Sequence, residues 1–180
     1  MSNSDTIADP RYPVGRFSAP AGRDAAALAG WRSDLSQLPE RMRAAVGGLT
    51  DVQLDTPYRE DGWTVRQVVH HVPDSHLNAY CRFKLALTEE SPTIKPYLEA
   101  RWAELPDARL PVAPSLALLD GLHARWLSLI DAMTPADWDR TFTHPEHQRT
   151  VTLWYTAAMY AWHSRHHVAH ITALRARRAW

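Results

Sequence analysis

Four histidines fall within eight residues near the C-terminus, at His163, His166, His167 and His170. On a helix, His163 with His167 and His166 with His170 form pairs at i, i+4 spacing, and side chains one turn apart lie about 5–6 Å from each other. Two ring nitrogens can then reach one divalent ion at about 2.0–2.1 Å. The third ligand must come from elsewhere, and His70-His71, about ninety residues upstream, is the available source. Three histidines leave one position for water or substrate, the arrangement of a catalytic rather than a structural metal. Without a shared ion, every buried imidazole would need a hydrogen-bond partner of its own.

At about 100° per residue, His163, His167 and His170 share a face that continues through Tyr160 and Leu174 and so points into a core. The wheel favours His163 with His167. Pattern does not separate His70 from His71, and Asp74 and Ser75 beside them are candidates to orient whichever one binds. A fourth ligand from His70, His166 or His170 would close the open position. His76 and His123 stand alone in the sequence and read as core-boundary residues. His144 and His147 fall in a polar turn, read as surface that could reach over the mouth of the site. Trp63, Trp154, Tyr160 and Trp162 flank these histidines, and aromatics at helical spacing read first as packing. Cys81 follows His71 by ten residues, about 15 Å along a helix axis, which makes it a poor ligand or nucleophile. Only neutral imidazole binds metal, so occupancy is expected to fall as the pH drops through about 6.5.

The elements that must hold these residues are legible as helices. Over 24–46 the apolar positions Ala27, Leu28, Trp31, Leu35, Leu38, Met42 and Val46 recur every three or four residues, with Pro39 predicting a kink and Gly47-Gly48 a stop. Thr50-Asp51 can cap a short turn. Thr64-Val65-Arg66-Gln67 has the form of a capping box, so a long helix starts there, with Pro73 bending it beside the histidine pair. A proline-rich connection over 91–114 precedes a third helix through Leu116, Leu119, Leu122, Trp126, Leu129 and Ile130, which Ser115 could cap and Met133 should end. Thr134-Pro135-Ala136-Asp137 repeats the start signals in miniature. The β-prone stretches of 140–151 around His144-Pro145-Glu146-His147-Gln148 predict a small hairpin. A fourth helix over 152–177 follows, with Arg175, Arg177 and Arg178 at the negative end of its dipole. The expectation is all-α: a four-helix bundle with a small hairpin or loop insertion before the last helix, and metal ligands on facing helices.

The chain has 180 residues, read as one domain at 23–180 behind an irregular arm at 1–22 containing Pro10, Pro13 and Pro20. Twenty Lys and Arg balance twenty Asp and Glu, which disfavours a nucleic-acid or anionic-membrane partner. One cysteine allows no intrachain disulfide, and no signal or membrane-spanning segment is evident, so a cytoplasmic home is expected.

Leu54-Asp55-Thr56-Pro57-Tyr58-Arg59, Asp61-Gly62-Trp63-Thr64-Val65-Arg66-Gln67-Val68-Val69-His70-His71, Asp74-Ser75-His76, Arg82-Phe83-Lys84, the His144-Pro145-Glu146 turn and Trp162 to Ile171 together resemble the YfiT group of the DinB-like superfamily. The resemblance runs from the Tyr12-Pro13 arm onward. It implies a four-helix bundle carrying a divalent ion, zinc or nickel, on three histidines, here His71, His163 and His167. Pro73 departs from the small residue usual after the histidine pair. The resemblance further implies either a metal-dependent hydrolase of an amide or ester, for which Asp74 and Glu146 are the candidate bases, or transfer of bacillithiol or another low-molecular-weight thiol onto electrophiles in detoxification or stress response. The partners it implies are a small-molecule substrate and a second copy in a homodimer. A metal-binding module without catalysis is the alternative from another class.

Overall fold

The computed structural model describes residues 9–146 and 148–180. His147, with the reading that it reaches over the site, and residues 1–8 of the expected arm lie outside the described residues. In chain order the helices are α1 (Ala25–Val46), α2 (Asp51–Leu54), α3 (Val65–Thr88), α4 (Glu99–Trp102), α5 (Ala113–Ala132) and α6 (Leu153–Arg178), with strands β1 (Thr141–His144) and β2 (Arg149–Thr152) before α6.

The caps read at Thr50 and Thr64 are formed, and the structure adds two more at Asp24 and Thr152. Asp24 accepts from the Ala26 N–H at α1, Thr50 with Gln53 and Thr64 with Gln67 build capping boxes at α2 and α3, and Thr152 accepts from the Tyr155 N–H at α6. Each such cap contributes about 0.5–2 kcal/mol by satisfying an otherwise orphaned donor. α5 corrects the expectation for Ser115. The helix begins two residues earlier, with Pro114 in the first turn where a missing N–H is harmless, and the Ser115 hydroxyl instead lies 2.7 Å from His70 Nδ1. The 91–114 connection is also more structured than expected, holding α4 and a 3-10 turn at Pro106–Arg109. The miniature start signal forms its box, with the Asp137 carboxylate accepting from the Thr134 N–H and hydroxyl, but yields only a 3-10 turn, Asp137–Asp139. β1 and β2 pair antiparallel with Phe142 opposite Val151, as the hairpin reading predicts.

α1 and α3 each pack against both α5 and α6, which places α1 and α3 on a diagonal of a four-helix bundle. The core is divided in two. One apolar cluster gathers Leu38, Met42, Val65, Val68, Val72, Leu119 and Ile171; the other gathers Leu35, Ala79, Phe83, Leu122, Trp126, Trp138 and Leu153. Burying each such side chain is worth about 1.5–3 kcal/mol. Between the clusters lies a polar layer: His71 and His76 on α3, His123 on α5, and His163 and His167 on α6.

Residues 9–22 form no helix or strand and run over α6. The Trp162 and Trp154 indole N–H groups donate to the carbonyls of Gly15 and Gly22 at 3.0 and 3.1 Å, and His170 Nε2 donates to that of Arg11 at 3.3 Å. Among the described residues no helix is long and apolar enough to cross a membrane.

Candidate metal centre

The second turn of α3 carries His71 to face His163 and His167, one turn apart on α6. His71 Nε2 lies 3.4 Å from His163 Nε2, and His167 Nε2 lies 3.1 Å from the same atom. Ligand atoms held at about 2.0–2.1 Å around a tetrahedral ion stand about 3.3 Å apart, so the spacing fits one divalent cation. These three form the group of metal-capable side chains found among the described residues, and no carboxylate belongs to it. Trp63 packs over the His71 ring with centroids 4.6 Å apart, and Tyr160 stands 5.4 Å from the His163 ring.

Behind His163 runs a chain of hydrogen bonds that sequence reasoning missed. His163 Nδ1 lies 3.1 Å from His76 Nε2, His76 Nδ1 lies 3.0 Å from His123 Nε2, and His123 Nδ1 lies 2.7 Å from the carbonyl oxygen of Leu35. The far end sets every tautomer, because a carbonyl can only accept. His123 must donate from Nδ1, leaving Nε2 to accept from His76 Nδ1–H. His76 Nε2 then accepts from His163 Nδ1–H, and the one lone pair left on neutral His163 is on Nε2, facing His71 and His167. The Leu35 carbonyl is available for a reason written in α1: Pro39, four residues on, has no N–H to give it. His76 and His123 are therefore no isolated boundary residues. Both are fully buried. The signal was their place on inner stripes, with His123 four residues after Leu119 and three before Trp126.

The other candidates for ligation are engaged elsewhere. His70 is held at both ring nitrogens, by the Ser115 hydroxyl at 2.7 Å and the Leu110 carbonyl at 3.0 Å. His166 stacks on Trp162 with centroids 4.3 Å apart, and His170 stacks on Tyr58 at 4.0 Å while donating to the arm. Neither Asp74 nor Ser75 orients His71; the Ser75 hydroxyl is 3.4 Å from the Tyr160 hydroxyl. Trp154 packs between Trp31 and Trp138 in the apolar core, and Cys81 is exposed.

Burial sets the electrostatics. Desolvation lowers His71 to about 4 and pushes His163, His167 and His76 well below the usual imidazole range, with neighbouring histidines adding to the shift in the latter three. Neutral imidazole is the form that ligates a cation. Asp74 moves the other way, raised to about 6 by burial and then by Asp107.

Residues 34–171 match the DinB superfamily. A protein from Bacillus mycoides is 53% identical over 172 residues, covering 96% of this chain and 99% of that protein, and one from Bacillus pumilus is 49% identical over 170 residues, covering 94% and 97%. Both carry the name "Putative metal-dependent hydrolase". Among solved structures, YfiT from Bacillus subtilis, described as a probable metal-dependent hydrolase with an unusual four-helix bundle topology, superposes with a TM-score of 0.92 at 46% identity, covering 95% of this chain and 98% of that one.

Proposed function

This chain belongs to the DinB superfamily, and from that premise we propose that it is a metal-dependent enzyme whose divalent ion, zinc or nickel, is held by His71, His163 and His167. The observation that carries the reading is the convergence of three Nε2 atoms at tetrahedral ligand spacing. When bound, such an ion supplies Lewis acidity, lowering the pKa of whatever thiol or water occupies the open position. The chain's own residues do the rest. His76 and His123 keep the His163 proton on Nδ1, and burial keeps all three ligands neutral.

The finer reading is transfer of a low-molecular-weight thiol of the bacillithiol type onto an electrophile, in detoxification or stress response. A thiolate needs no carboxylate base once it is formed, and no Asp or Glu among the described residues hydrogen-bonds a member of the triad. The remaining parts of the reading are a small-molecule substrate, a cytoplasmic home and assembly as a homodimer. Hydrolysis of an amide or ester is the second reading. Its support is the name its relatives carry and Asp74, one turn from His71 and raised into the range of a working base.

Cobalt-substituted protein separates the two. Under transfer, an added thiol produces a new sulfur-to-cobalt charge-transfer band, and turnover of a generic electrophile such as monochlorobimane follows the same thiol dependence. Cys81→Ser keeps both. Ester cleavage without thiol, and no spectral change when thiol is added, would replace transfer with hydrolysis.

A further inference from the structure

Five arginines of the described chain are buried or partly buried: Arg59, Arg66, Arg82, Arg140 and Arg175. Four have acceptors. Arg66 donates to Asp55 and Asp51, Arg59 to the Glu60 carbonyl, Arg140 to the carbonyls of Ala86 and Glu89, and Arg175 to those of Ala45 and Gly47. Arg82 has no hydrogen bond or ion pair among the described residues. A guanidinium carries five donors, and the partly buried Arg82 directs none of them to an acceptor among the described residues.

Arg82 lines a cavity of about 140 Å³ between α3, the hairpin and α6, with Arg149, Tyr155 and Tyr160 among the other walls and no Asp or Glu in the lining. Arg149 lies over the Tyr155 ring at 5.1 Å. Tyr160 lines this cavity and also stands 5.4 Å from the His163 ring. It precedes His163 by three residues, about 4.5 Å of helix axis, and its hydroxyl, which accepts from Ser75 at 3.4 Å, keeps its own proton to donate. Burial holds that hydroxyl protonated.

We propose that this cavity binds a carboxylate of the molecule on which the metal centre acts, with Arg82 as its charge partner and the Tyr160 hydroxyl as a second donor. A single guanidinium fork matches the two oxygens of a carboxylate, and the volume admits that group with a short alkyl stub. The substrate is then an anionic small molecule whose carboxylate lies one to two helical turns from its reacting group. The cavity's affinity for carboxylate stands independently; its link to the reacting group rests on the metal-enzyme reading above.

Metal-free, 15N-labelled protein is titrated with propionate, propionamide and inorganic phosphate, following the Arg82 Nε–H resonance. A saturable shift with propionate, none with propionamide, and loss of the propionate affinity in Arg82→Gln is the expected result, with Arg82→Lys retaining part of it. No saturable shift, an equal response to the amide, or a preference for phosphate would overturn the carboxylate site. Zinc-loaded protein is then given monohydroxamates of dicarboxylic acids of increasing length, beside neutral hydroxamates of matched length. One length should bind at least about tenfold tighter than its neutral match, and Arg82→Gln should erase the difference. No advantage at any length would break the link between cavity and metal. Failure of every hydroxamate to bind would instead count against the metal centre, leaving the propionate result to stand or fall alone.

Discussion

Two sets of imidazoles share α6 and differ in what their nitrogens meet. His163 and His167 turn toward α3, where each points Nε2 at the same small volume as His71. His166 and His170 turn toward Trp162, Tyr58 and the arm, covered by stacked rings; their buried Nδ1 atoms have no hydrogen-bond partner, and neither has that of His167. Burial is similar in the two sets, so it does not distinguish a metal site. Convergence does, together with a tautomer that leaves the free lone pair facing the shared volume: His163 is set so through His76 and His123 to the carbonyl freed by Pro39, whereas the Arg11 carbonyl fixes His170 with its Nε2 proton turned to the arm.

The sharpest break between the sets is metal stoichiometry. His71→Ala, His163→Ala and His167→Ala should each abolish binding of one ion per chain, measured by elemental analysis after dialysis, whereas His166→Phe and His170→Phe should keep it. Metal lost from His166→Phe would dissolve the distinction.

Next in size is the chain behind His163. Removing an outer partner of a metal-bound histidine lowers affinity by about 10–100-fold, so His76→Phe and His123→Phe should do so in competition with a chromophoric chelator. Long-range 15N NMR of the metal-free wild type should place the His163 proton on Nδ1. A proton on Nε2 would sink the relay. The expectation for His123 is thus the reverse of what its solitary place in the sequence suggests.

Acid offers a third measurement. His71 and His123 sit at about 4 in the fold, against about 6.5 for an exposed imidazole. Between those values the unfolded chain binds protons that the folded one does not. The stability of the metal-free protein should therefore be flat above about pH 6.5 and fall as the pH drops toward about 4, seen in urea melts across that range. Metal release should follow the same displacement, below the pH 6.5 window expected from sequence. A flat stability profile down to pH 4 would show these imidazoles to be solvated.

The smallest effect belongs to Pro39→Ala. Alanine is favoured over proline in a helix interior by about 3 kcal/mol, so α1 should gain stability, while the new N–H at 39 competes with His123 for the Leu35 carbonyl. The melting temperature of the metal-free protein should rise and metal affinity should fall a few-fold. An unchanged affinity would mean that the carbonyl holds His123 with or without the helical bond.

Much of the fold could be read from local signals. Thr64 and Gln67 announce α3 because a capping box is complete within four residues, and the i, i+4 pair on α6 is likewise a property of one helix. In the sequence only family resemblance separates His71 from His70; in the structure Ser115 and Leu110 take both nitrogens of His70. What stayed hidden spans helices. His76 is five residues from His71, on another face of α3, and meets His163 only once α6 is packed against it. Pro39 reads as a kink, and nothing local says that the Leu35 carbonyl it frees will be taken up by a side chain 88 residues further along the chain. Arg82 had a fainter trace, since none of residues 78, 79, 85 and 86, its helical neighbours, is acidic.

The arm over α6 is gripped in an unusual sense. Trp154, Trp162 and His170 hold it by the carbonyls of Gly22, Gly15 and Arg11, so the bonds that fix its path read backbone and no side chain of the arm. A strap attached in this way tolerates side-chain changes without losing the bonds that set its course. Tyr12, 6.1 Å from the His166 ring, and Phe17, edge-on to Tyr155, are then exchangeable fittings on a fixed rail. Substitutions along the arm can therefore change the surface at this edge of α6 without altering the helix that carries His163 and His167.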